Sequence, residues 1–234
     1  MGVKKTLVTL TLSLLLASEV AVGGAFNRGL EAYFSGDHQT ALSEWEPLAK
    51  VGHAQAQYNL GLMYRRGQSV PHSDKMAVKW YTLAAQQGVV QAQFNLGFMY
   101  DYGHGVPENN SASVKWYTLA AVQSHAQAQS NLGVMYKLGE GIPQNYEIAV
   151  KWYTLAAHQG LAEAQLNLAH MLQFGRGVPI DYVRSYMWCS LSAYNGHKLS
   201  ATYTADMAAL MTYAELTKAQ NMPSHCLRNN YIDC

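Results

Sequence analysis

The sequence contains few charged residues. Lysine, arginine, aspartate and glutamate together make up 13% of its 234 residues, about half of the roughly 25% found in an average soluble domain. Because hydrophobic residues make up 49% of the chain, the composition excludes a disordered chain and a coiled coil. Lys and Arg number 16 against 15 Asp and Glu, so the chain also lacks the basic surplus that is typical of proteins that bind nucleic acid.

The sequence has no apolar run long enough to cross a membrane. Its most apolar stretch, residues 7–17, is about half as long as the roughly 20 residues that a spanning helix needs. Lys4 and Lys5 precede this stretch, and small residues follow it up to Ala25. The arrangement predicts a cleavable signal peptide over residues 1–25, with an N-terminal core helix as the alternative. We therefore expect a periplasmic or secreted protein that is not inserted in a membrane.

Cysteine is scarce as well, with three in the whole chain. Cys226 and Cys234 lie eight residues apart near the C-terminus, and in an oxidising compartment the simplest prediction is a disulfide between them. Closing so short a loop stabilises a fold by about 2.5 kcal/mol on the chain-entropy model. Cys189 is predicted to be a small buried apolar residue, but its pairing with one of the tail cysteines stays open.

The middle of the sequence contains a repeat of 36 residues. The tripeptide Asn-Leu-Gly occurs at residues 59–61, 95–97 and 131–133, and the variant Asn-Leu-Ala occurs at residues 167–169. A second motif, Trp-Tyr-Thr-Leu-Ala-Ala, begins at Trp80, Trp116 and Trp152 and degrades to Trp-Cys-Ser-Leu-Ser-Ala at Trp188. A fixed period of this length is typical of stacked units that bury their apolar faces only against their neighbours.

Each repeat is predicted to form two antiparallel helices, here called helix A and helix B. In the first repeat, apolar residues spaced by four and three positions define one face of helix A, which Gly67 ends. Helix B is predicted to begin with Asp74 as its cap and to stop at Gly88. The pattern therefore predicts an all-α fold.

The period divides the chain into segments. Residues 26–53 are predicted to form a shortened N-terminal repeat, and residues 198–234 to form C-terminal capping helices with the cysteine-containing tail. In that last segment, Thr212 and Glu215 have the spacing of a capping box that opens a helix. The four full repeats are predicted to span residues 54–89, 90–125, 126–161 and 162–197.

The repeated unit is Ala-x-Ala-Gln-x-Asn-Leu-Gly-x-Met-Tyr-x-x-Gly-x-Gly-Val-Pro followed by Ala-Val-Lys-Trp-Tyr-x-x-Ala-Ala-x-x-Gly. It resembles the Sel1-like repeat, a branch of the tetratricopeptide superfamily, and the C-terminal region is similar to that of exported bacterial members. The resemblance implies a right-handed α-α superhelix and a non-enzymatic, monomeric scaffold that binds a protein or peptide. One departure is Ser69, which stands where later repeats have the second glycine of Gly-x-Gly-Val.

Positions that differ between repeats predict where a partner binds. Four variable positions of helix A, spaced as i, i+4, i+7 and i+8, fall on one stripe away from the packing face. Because helix A lines the concave side of such arrays, we expect a groove for an extended or helical peptide. The alternative is that the aromatic side chains only fill space between repeats. The candidate partner-binding residues are Tyr58, Leu62, Arg65, Arg66, Phe94, Phe98, Asp101, Tyr102, Lys137 and Leu138.

The sequence predicts neither a catalytic site nor a bound metal or cofactor. His53, His125 and His197 share one position of the repeat but lie on alternate repeats, too far apart to share a metal. Some cysteine-rich exported relatives have been associated with weak penicillin hydrolysis, but the Ser-x-x-Lys motif is absent outside the predicted signal peptide. An envelope hydrolase, β-lactamase-like or carbohydrate-acting, and a secreted host-interaction factor are the alternative functions.

Overall fold

The computed structural model describes residues 22–229 and 231, and this part of the chain consists of helices without a strand. The predicted all-α fold is confirmed. Helices α3, α5, α7 and α9 are helix A of the four repeats, and α4, α6, α8 and α10 are helix B. The helices are α1 (residues 22–34), α2 (His38–Lys50), α3 (Ala54–Arg66), α4 (Asp74–Gln86), α5 (Val90–Asp101), α6 (Asn110–Ala121), α7 (Ala126–Leu138), α8 (Tyr146–His158), α9 (Ala162–Phe174), α10 (Tyr182–Tyr194), α11 (Ser200–Ala208) and α12 (Tyr213–Arg228).

The chain forms two compact units, and the division falls in the last turn of α5. Unit 1 contains the described residues up to 99 together with residues 103–107. Unit 2 contains residues 100–102 and the described residues from 108 onward. Each unit has its own hydrophobic core, and the second repeat is divided, with most of α5 in unit 1 and α6 in unit 2.

Side chains fix the beginnings of the helices. The hydroxyl of Ser73 accepts the backbone N–H of Met76 and so caps α4. The prediction that Asp74 is this cap is wrong, because Asp74 lies in the first turn of α4. His53 and His125 cap α3 and α7, and in each the ring nitrogen Nδ1 accepts a backbone N–H three residues later. A side-chain acceptor at this position stabilises a helix by about 1 kcal/mol.

The core of unit 1 combines small and large residues. Trp45 is buried, and its indole Nε1 donates to the carbonyl of Phe26 at 3.2 Å, which holds α1 against α2. Gly61 allows α3 to approach α4, because a Cβ at this position would lie 2.5 Å from the ring of Tyr81. The apolar face of α4 is buried and includes Ala77, Trp80, Tyr81 and Ala84.

Unit 2 repeats this packing and adds the C-terminal helices. A Cβ at Gly133 would lie 2.7 Å from the ring of Tyr153, so this glycine matches Gly61 of unit 1. Helix α12 packs against α10, and its first turn contains the capping box predicted for Thr212 and Glu215, which is confirmed.

A ladder of buried glutamines runs through both units. In each repeat the amide nitrogen Nε2 of one glutamine on helix A donates to an alanine carbonyl eight residues earlier, near the end of the preceding helix. Each buried amide thereby has a partner and holds two consecutive helices together. The pairs, at 3.0–3.1 Å, are Gln57 with Ala49, Gln93 with Ala85, Gln129 with Ala121 and Gln165 with Ala157.

The turn between helix A and helix B runs close to the preceding helix B. At Gly141 the backbone φ is +69°, and a Cβ would collide with the backbone of Asn110. The same holds for Gly177 against Tyr146. Ser69 occupies the corresponding position of the first full repeat and adopts a φ of +55°, a left-handed conformation that costs a non-glycine residue about 1–2 kcal/mol.

The predicted signal peptide lies mostly outside the residues that the structure describes. Residues 1–21 of the predicted signal peptide lie outside the described residues, while α1 contains Ala25, the last residue of that segment. No helix within residues 22–229 combines the length and the apolar character needed to cross a bilayer.

The structure describes two of the three cysteines, Cys189 and Cys226. Cys189 is buried and not in a disulfide, so its predicted burial is confirmed and its alternative pairing with a tail cysteine is wrong. Cys226 is buried, with its Sγ 3.3 Å from Sδ of Met187. Because Cys234 lies outside the described residues, the disulfide between Cys226 and Cys234 stays a prediction.

Candidate functional site

The residues of the predicted stripe are divided between the two units, and none of their side chains is fully buried. Each therefore reaches a surface of its own unit. In both units part of the stripe lines a cleft, whereas Lys137 and Leu138 stand apart from the cleft of unit 2. Unit 1 carries Tyr58, Leu62, Arg65, Arg66, Phe94 and Phe98, and unit 2 carries Asp101, Tyr102, Lys137 and Leu138.

The unit 1 cleft has a volume of about 300 Å³ and is formed by side chains of α3, α4 and α5. Aromatic and apolar side chains make up most of its wall, and the charges on it are two arginines. The cleft therefore offers aromatic faces together with cationic hydrogen-bond donors. Its lining residues are Leu62, Arg65, Arg66, Tyr81, Phe94, Asn95, Phe98 and Met99.

The two arginines of the unit 1 cleft have different partners. Arg65 donates from Nη1 to Oδ1 of Asp74 at 2.8 Å, and this ion pair is partly buried. Arg66 donates from Nη1 to the hydroxyl of Tyr33 at 2.7 Å, and the side chain is exposed. Because the hydroxyl is neutral, this bond leaves the positive charge of Arg66 available to a ligand.

A second depression in unit 1, which we call the aromatic pocket, has a volume of about 250 Å³. The rings of Tyr33 and Trp45 lie 5.4 Å apart in its wall. Burial raises the pKa of the Tyr58 hydroxyl, so this side chain is a neutral phenol at physiological pH. The pocket is lined by Leu30, Tyr33, Phe34, Trp45, Tyr58, Asn59, Leu62 and Arg66, and so shares Leu62 and Arg66 with the unit 1 cleft.

The unit 2 cleft has a volume of about 330 Å³ and the opposite charge. Four carboxylates stand on its wall, and in the described part of the chain no lysine or arginine lines it. Its surface therefore suits a cationic or hydrogen-bond-donating group. The lining residues are Asp101, Tyr102, Glu108, Asn110, Asn131, Val134, Met135, Glu140 and Glu163.

Asp101 is the carboxylate of this cleft that its surroundings perturb. Burial raises the pKa of Asp101, the hydrogen bond from Tyr117 lowers it, and the negative charges of Glu140 and Glu108 raise it again. The Tyr117 hydroxyl donates to Oδ2 of Asp101 at 3.3 Å. The net effect raises the pKa of Asp101 above its ordinary value, because the charged form is poorly solvated and repelled by its neighbours.

The acidic character of the unit 2 cleft was not expected from the sequence. Glu108 and Glu140 lie in the turns between helix A and helix B, and Glu163 lies in the first turn of α9. The prediction considered variable positions of helix A alone. A signal was present in the turn, because Glu140 stands where the other repeats have Gln68, His104 and Arg176.

The two clefts present groups that can hold a ligand by ring contacts, hydrogen bonds and charge. No group of three or more His, Cys, Asp or Glu side chains within residues 22–229 is arranged to hold a metal ion. Burial raises the pKa of the Cys189 thiol to about 12, so it is not a nucleophilic thiolate at neutral pH. The side chains that line the two clefts include aromatic rings, arginines and carboxylates.

The same helix pair recurs along the chain, and its buried residues recur while its surface residues differ. This architecture is an all-α helical repeat solenoid. The family model of the Sel1 repeat matches residues 54–89, 90–125, 126–161 and 162–197. The chain therefore belongs to the Sel1 repeat family, whose repeats usually mediate protein interactions.

Two solved structures are similar to most of this chain. One is a protective antigen present in uropathogenic Escherichia coli strains that displays an SLR fold, with 31% identity and a TM-score of 0.77 over 94% of this chain. This chain spans 52% of that longer chain. The other is a Sel1 repeat protein from Oxalobacter formigenes, with 29% identity and a TM-score of 0.75 over 83% of this chain and 84% of that one. Comparison with curated proteins gave no match.

Proposed function

We propose that the protein is a non-catalytic adaptor that binds a protein or peptide partner through the variable stripe of helix A. The observation that carries this proposal is a difference in exposure between helix A residues that recur in the repeats and residues of the predicted stripe that differ between them. The leucines of the Asn-Leu-Gly motif, Leu60, Leu96 and Leu132, are at most 1% exposed. The varied residues Phe94 and Phe98 instead remain partly accessible in the wall of a cleft.

The composition of the stripe supports a binding role. Aromatic residues and arginine dominate the energetics of protein interfaces, because they combine a large contact area with directional donors. The unit 1 cleft holds two phenylalanines beside Arg65 and Arg66. Repeats of this family usually mediate protein interactions, and nothing in the described residues favours the hydrolase alternative.

We also propose that the protein acts in the periplasm or outside the cell. The support is the predicted signal peptide over residues 1–25 and the predicted disulfide between Cys226 and Cys234, which needs an oxidising compartment. The similar E. coli protein is described as a protective antigen. Cell fractionation with intact-mass measurement tests this point: we expect an envelope or medium fraction and a mass that lacks residues 1–25. A cytoplasmic, full-length protein would contradict it.

Crosslinking capture with three variants tests the adaptor function. Phe98→Ala removes an aromatic ring from the unit 1 cleft, and Arg66→Glu reverses an exposed charge. Leu83→Ala is the matched control, because Leu83 is 37% exposed on helix B and lies off the stripe. We expect the first two variants to lose the crosslinked partner and the control to keep it.

Circular dichroism shows whether each variant is folded, and Arg66→Glu keeps the test valid if Phe98→Ala unfolds. Capture of the same partner by folded Arg66→Glu and folded Phe98→Ala at wild-type yield would refute the binding role of the stripe.

A further inference from the structure

Asn59 places a buried hydrogen-bond donor without a partner in the wall of the aromatic pocket. Its side chain is 7% exposed, and its Nδ2 makes no hydrogen bond to any of the described residues 22–229 and 231. Unpaired buried donors are costly, because they lose their bonds to water without replacing them. An acceptor that entered the pocket would therefore form a bond that the protein alone does not make.

The unpaired donor follows from one change in the repeat. In the next repeat, the equivalent Asn95 hydrogen-bonds to the side chain of Tyr81. Trp45 stands 36 residues before Tyr81, and an indole has no acceptor oxygen to offer. Its Nε1 is also already bonded to the carbonyl of Phe26. The first full repeat therefore keeps the asparagine and lacks its tyrosine.

The size and the charge of the pocket indicate which kind of ligand carries this acceptor. At about 250 Å³ the pocket is smaller than most sites for drug-sized ligands, which begin at about 300 Å³, so it has room for one large side chain. Its wall is aromatic and aliphatic, and the one charge among its lining residues is the exposed guanidinium of Arg66. An apolar group beside a carboxylate matches this wall and this charge, whereas an ammonium group is repelled.

We propose that the aromatic pocket is a subsite for an acidic peptide segment of the partner. One large apolar side chain of that segment fills the pocket, a carbonyl oxygen next to it accepts from Nδ2 of Asn59, and a neighbouring carboxylate pairs with Arg66. This inference rests on the proposed function, since it gives the chemistry of the partner at one part of the stripe.

A small-molecule probe tests the subsite without a cellular partner. N-acetyl-L-phenylalanine carries a ring, an amide carbonyl and a carboxylate, and N-acetyl-L-phenylalaninamide differs in lacking the negative charge. We expect the acid to bind about fivefold more tightly than the amide, and phenethylamine to bind most weakly. In NMR titrations of the purified protein, the signals of the Asn59 side-chain amide and the Trp45 indole should shift.

Two substitutions separate the contributions to binding. Arg66→Gln is expected to abolish the preference for the acid over the amide. Asn59→Leu has a similar shape but no donor, so it should weaken binding of both probes by about fivefold and at the same time stabilise the fold. Asn167→Leu is the matched control, because Asn167 holds the same position of the last repeat and lines neither cleft nor the aromatic pocket. It should leave probe affinity unchanged.

Several results would overturn the subsite. Equal affinity for acid, amide and amine would exclude the role of Arg66, and unchanged affinity in Asn59→Leu would show that this donor takes no part in binding. A dimer that the probe dissociates would show that a second copy of the chain covers the pocket. If the probe fails while capture still depends on Phe98, the subsite alone is refuted. If the probe binds but no stripe variant loses capture, the pocket binds an acidic apolar group, but the adaptor function fails and the pocket's role in binding a partner fails with it.

Discussion

Units 1 and 2 are built on the same 36-residue plan, yet their clefts carry opposite charges. The unit 1 cleft holds two arginines and two phenylalanines, whereas the unit 2 cleft holds four carboxylates. The cores do not differ in this way, since Gly61 meets Tyr81 in unit 1 as Gly133 meets Tyr153 in unit 2. The comparison indicates that the repeats share their packing contacts and differ in the groups they offer to a ligand.

The largest expected effect tests how strongly the turn is constrained in the third repeat, which belongs to unit 2, and in the first repeat, which belongs to unit 1. In unit 2, Gly141→Ala should lower the free energy of unfolding by about 3 kcal/mol, because a positive φ and a collision with the Asn110 backbone act together. In unit 1, Ser69→Gly should raise it by about 0.5 kcal/mol, since glycine adopts the φ of +55° without strain.

Urea unfolding measures both changes. If Gly141→Ala were as stable as the wild type, the turn would have to accommodate a Cβ next to the Asn110 backbone, and the proposed constraint would be wrong. If Ser69→Gly were destabilising, the serine would contribute a contact that outweighs its backbone strain.

Replacing an aspartate by asparagine should have a smaller effect on the free energy of unfolding, with opposite signs in the two units. Asp101→Asn in unit 2 should stabilise the protein at pH 7 by less than about 1 kcal/mol, because the wild-type charge is partly buried and faces Glu140 and Glu108. Asp74→Asn in unit 1 should destabilise it by about 1 kcal/mol, because Asp74 pairs with Arg65 at 2.8 Å. Changes of the same sign would contradict the charge difference between the clefts.

The gain in Asp101→Asn should depend on pH. The folded protein binds a proton at Asp101 at a higher pH than the unfolded chain does, so ionisation of Asp101 favours unfolding. The advantage over the wild type should be complete above the raised pKa and should disappear below the ordinary pKa of aspartate, about 3.9. Unfolding curves at pH 7 and pH 4 measure the difference, and an advantage that persisted unchanged in acid would rule out a titrating carboxyl.

The smallest effect concerns the histidine caps. Burial lowers the pKa of His125, and protonation removes the Nδ1 acceptor that caps α7. Its contribution to stability should therefore be complete above the ordinary histidine pKa of about 6.5 and decline as the pH falls. His125→Asn, which caps without titrating, should reduce the loss of stability between pH 7 and pH 5 by about a few tenths of a kcal/mol.

His53→Asn is the comparison in unit 1. The His53 ring stacks on Phe26 at a centroid distance of 4.9 Å, and asparagine cannot replace this contact, so the variant should be less stable than the wild type at both pH values. An acid sensitivity unchanged by His125→Asn would show that the cap at α7 does not titrate in this range.

The fold was predictable because each repeat provides a comparison for the others. Residues that recur at the same position, such as Leu60 and Leu96, are buried, and the breaks between motifs mark helix ends. The capping of α4 was misassigned because Ser73 and Asp74 are adjacent and both suit a cap. Only the backbone conformation of Ser73, with φ at −158° and ψ at 102°, distinguishes them.

The site was predictable in part. Leu62 and Phe98 share one position of helix A, and the spacing along the helix brings both into the unit 1 cleft. The carboxylate of Glu140 could not be placed in this way, because it stands in a turn between two left-handed glycines, Gly139 and Gly141. Hydrophobic periodicity contains no information on where such a turn directs a side chain.

The role of Asn59 was hidden for a different reason. The asparagine recurs in every full repeat, so it is not among the variable positions from which the partner-binding residues were predicted. Its lack of a partner depends on Trp45, which lies 14 residues earlier in a segment outside the full repeats. A comparison restricted to the four full repeats does not include that residue.

The glutamine ladder has a consequence for how the gene can change. A shift of one residue between neighbouring repeats would leave a buried amide without its carbonyl, whereas duplication or loss of a whole 36-residue repeat would restore every pair. Copy number is therefore free to vary in evolution while the register inside each repeat is not.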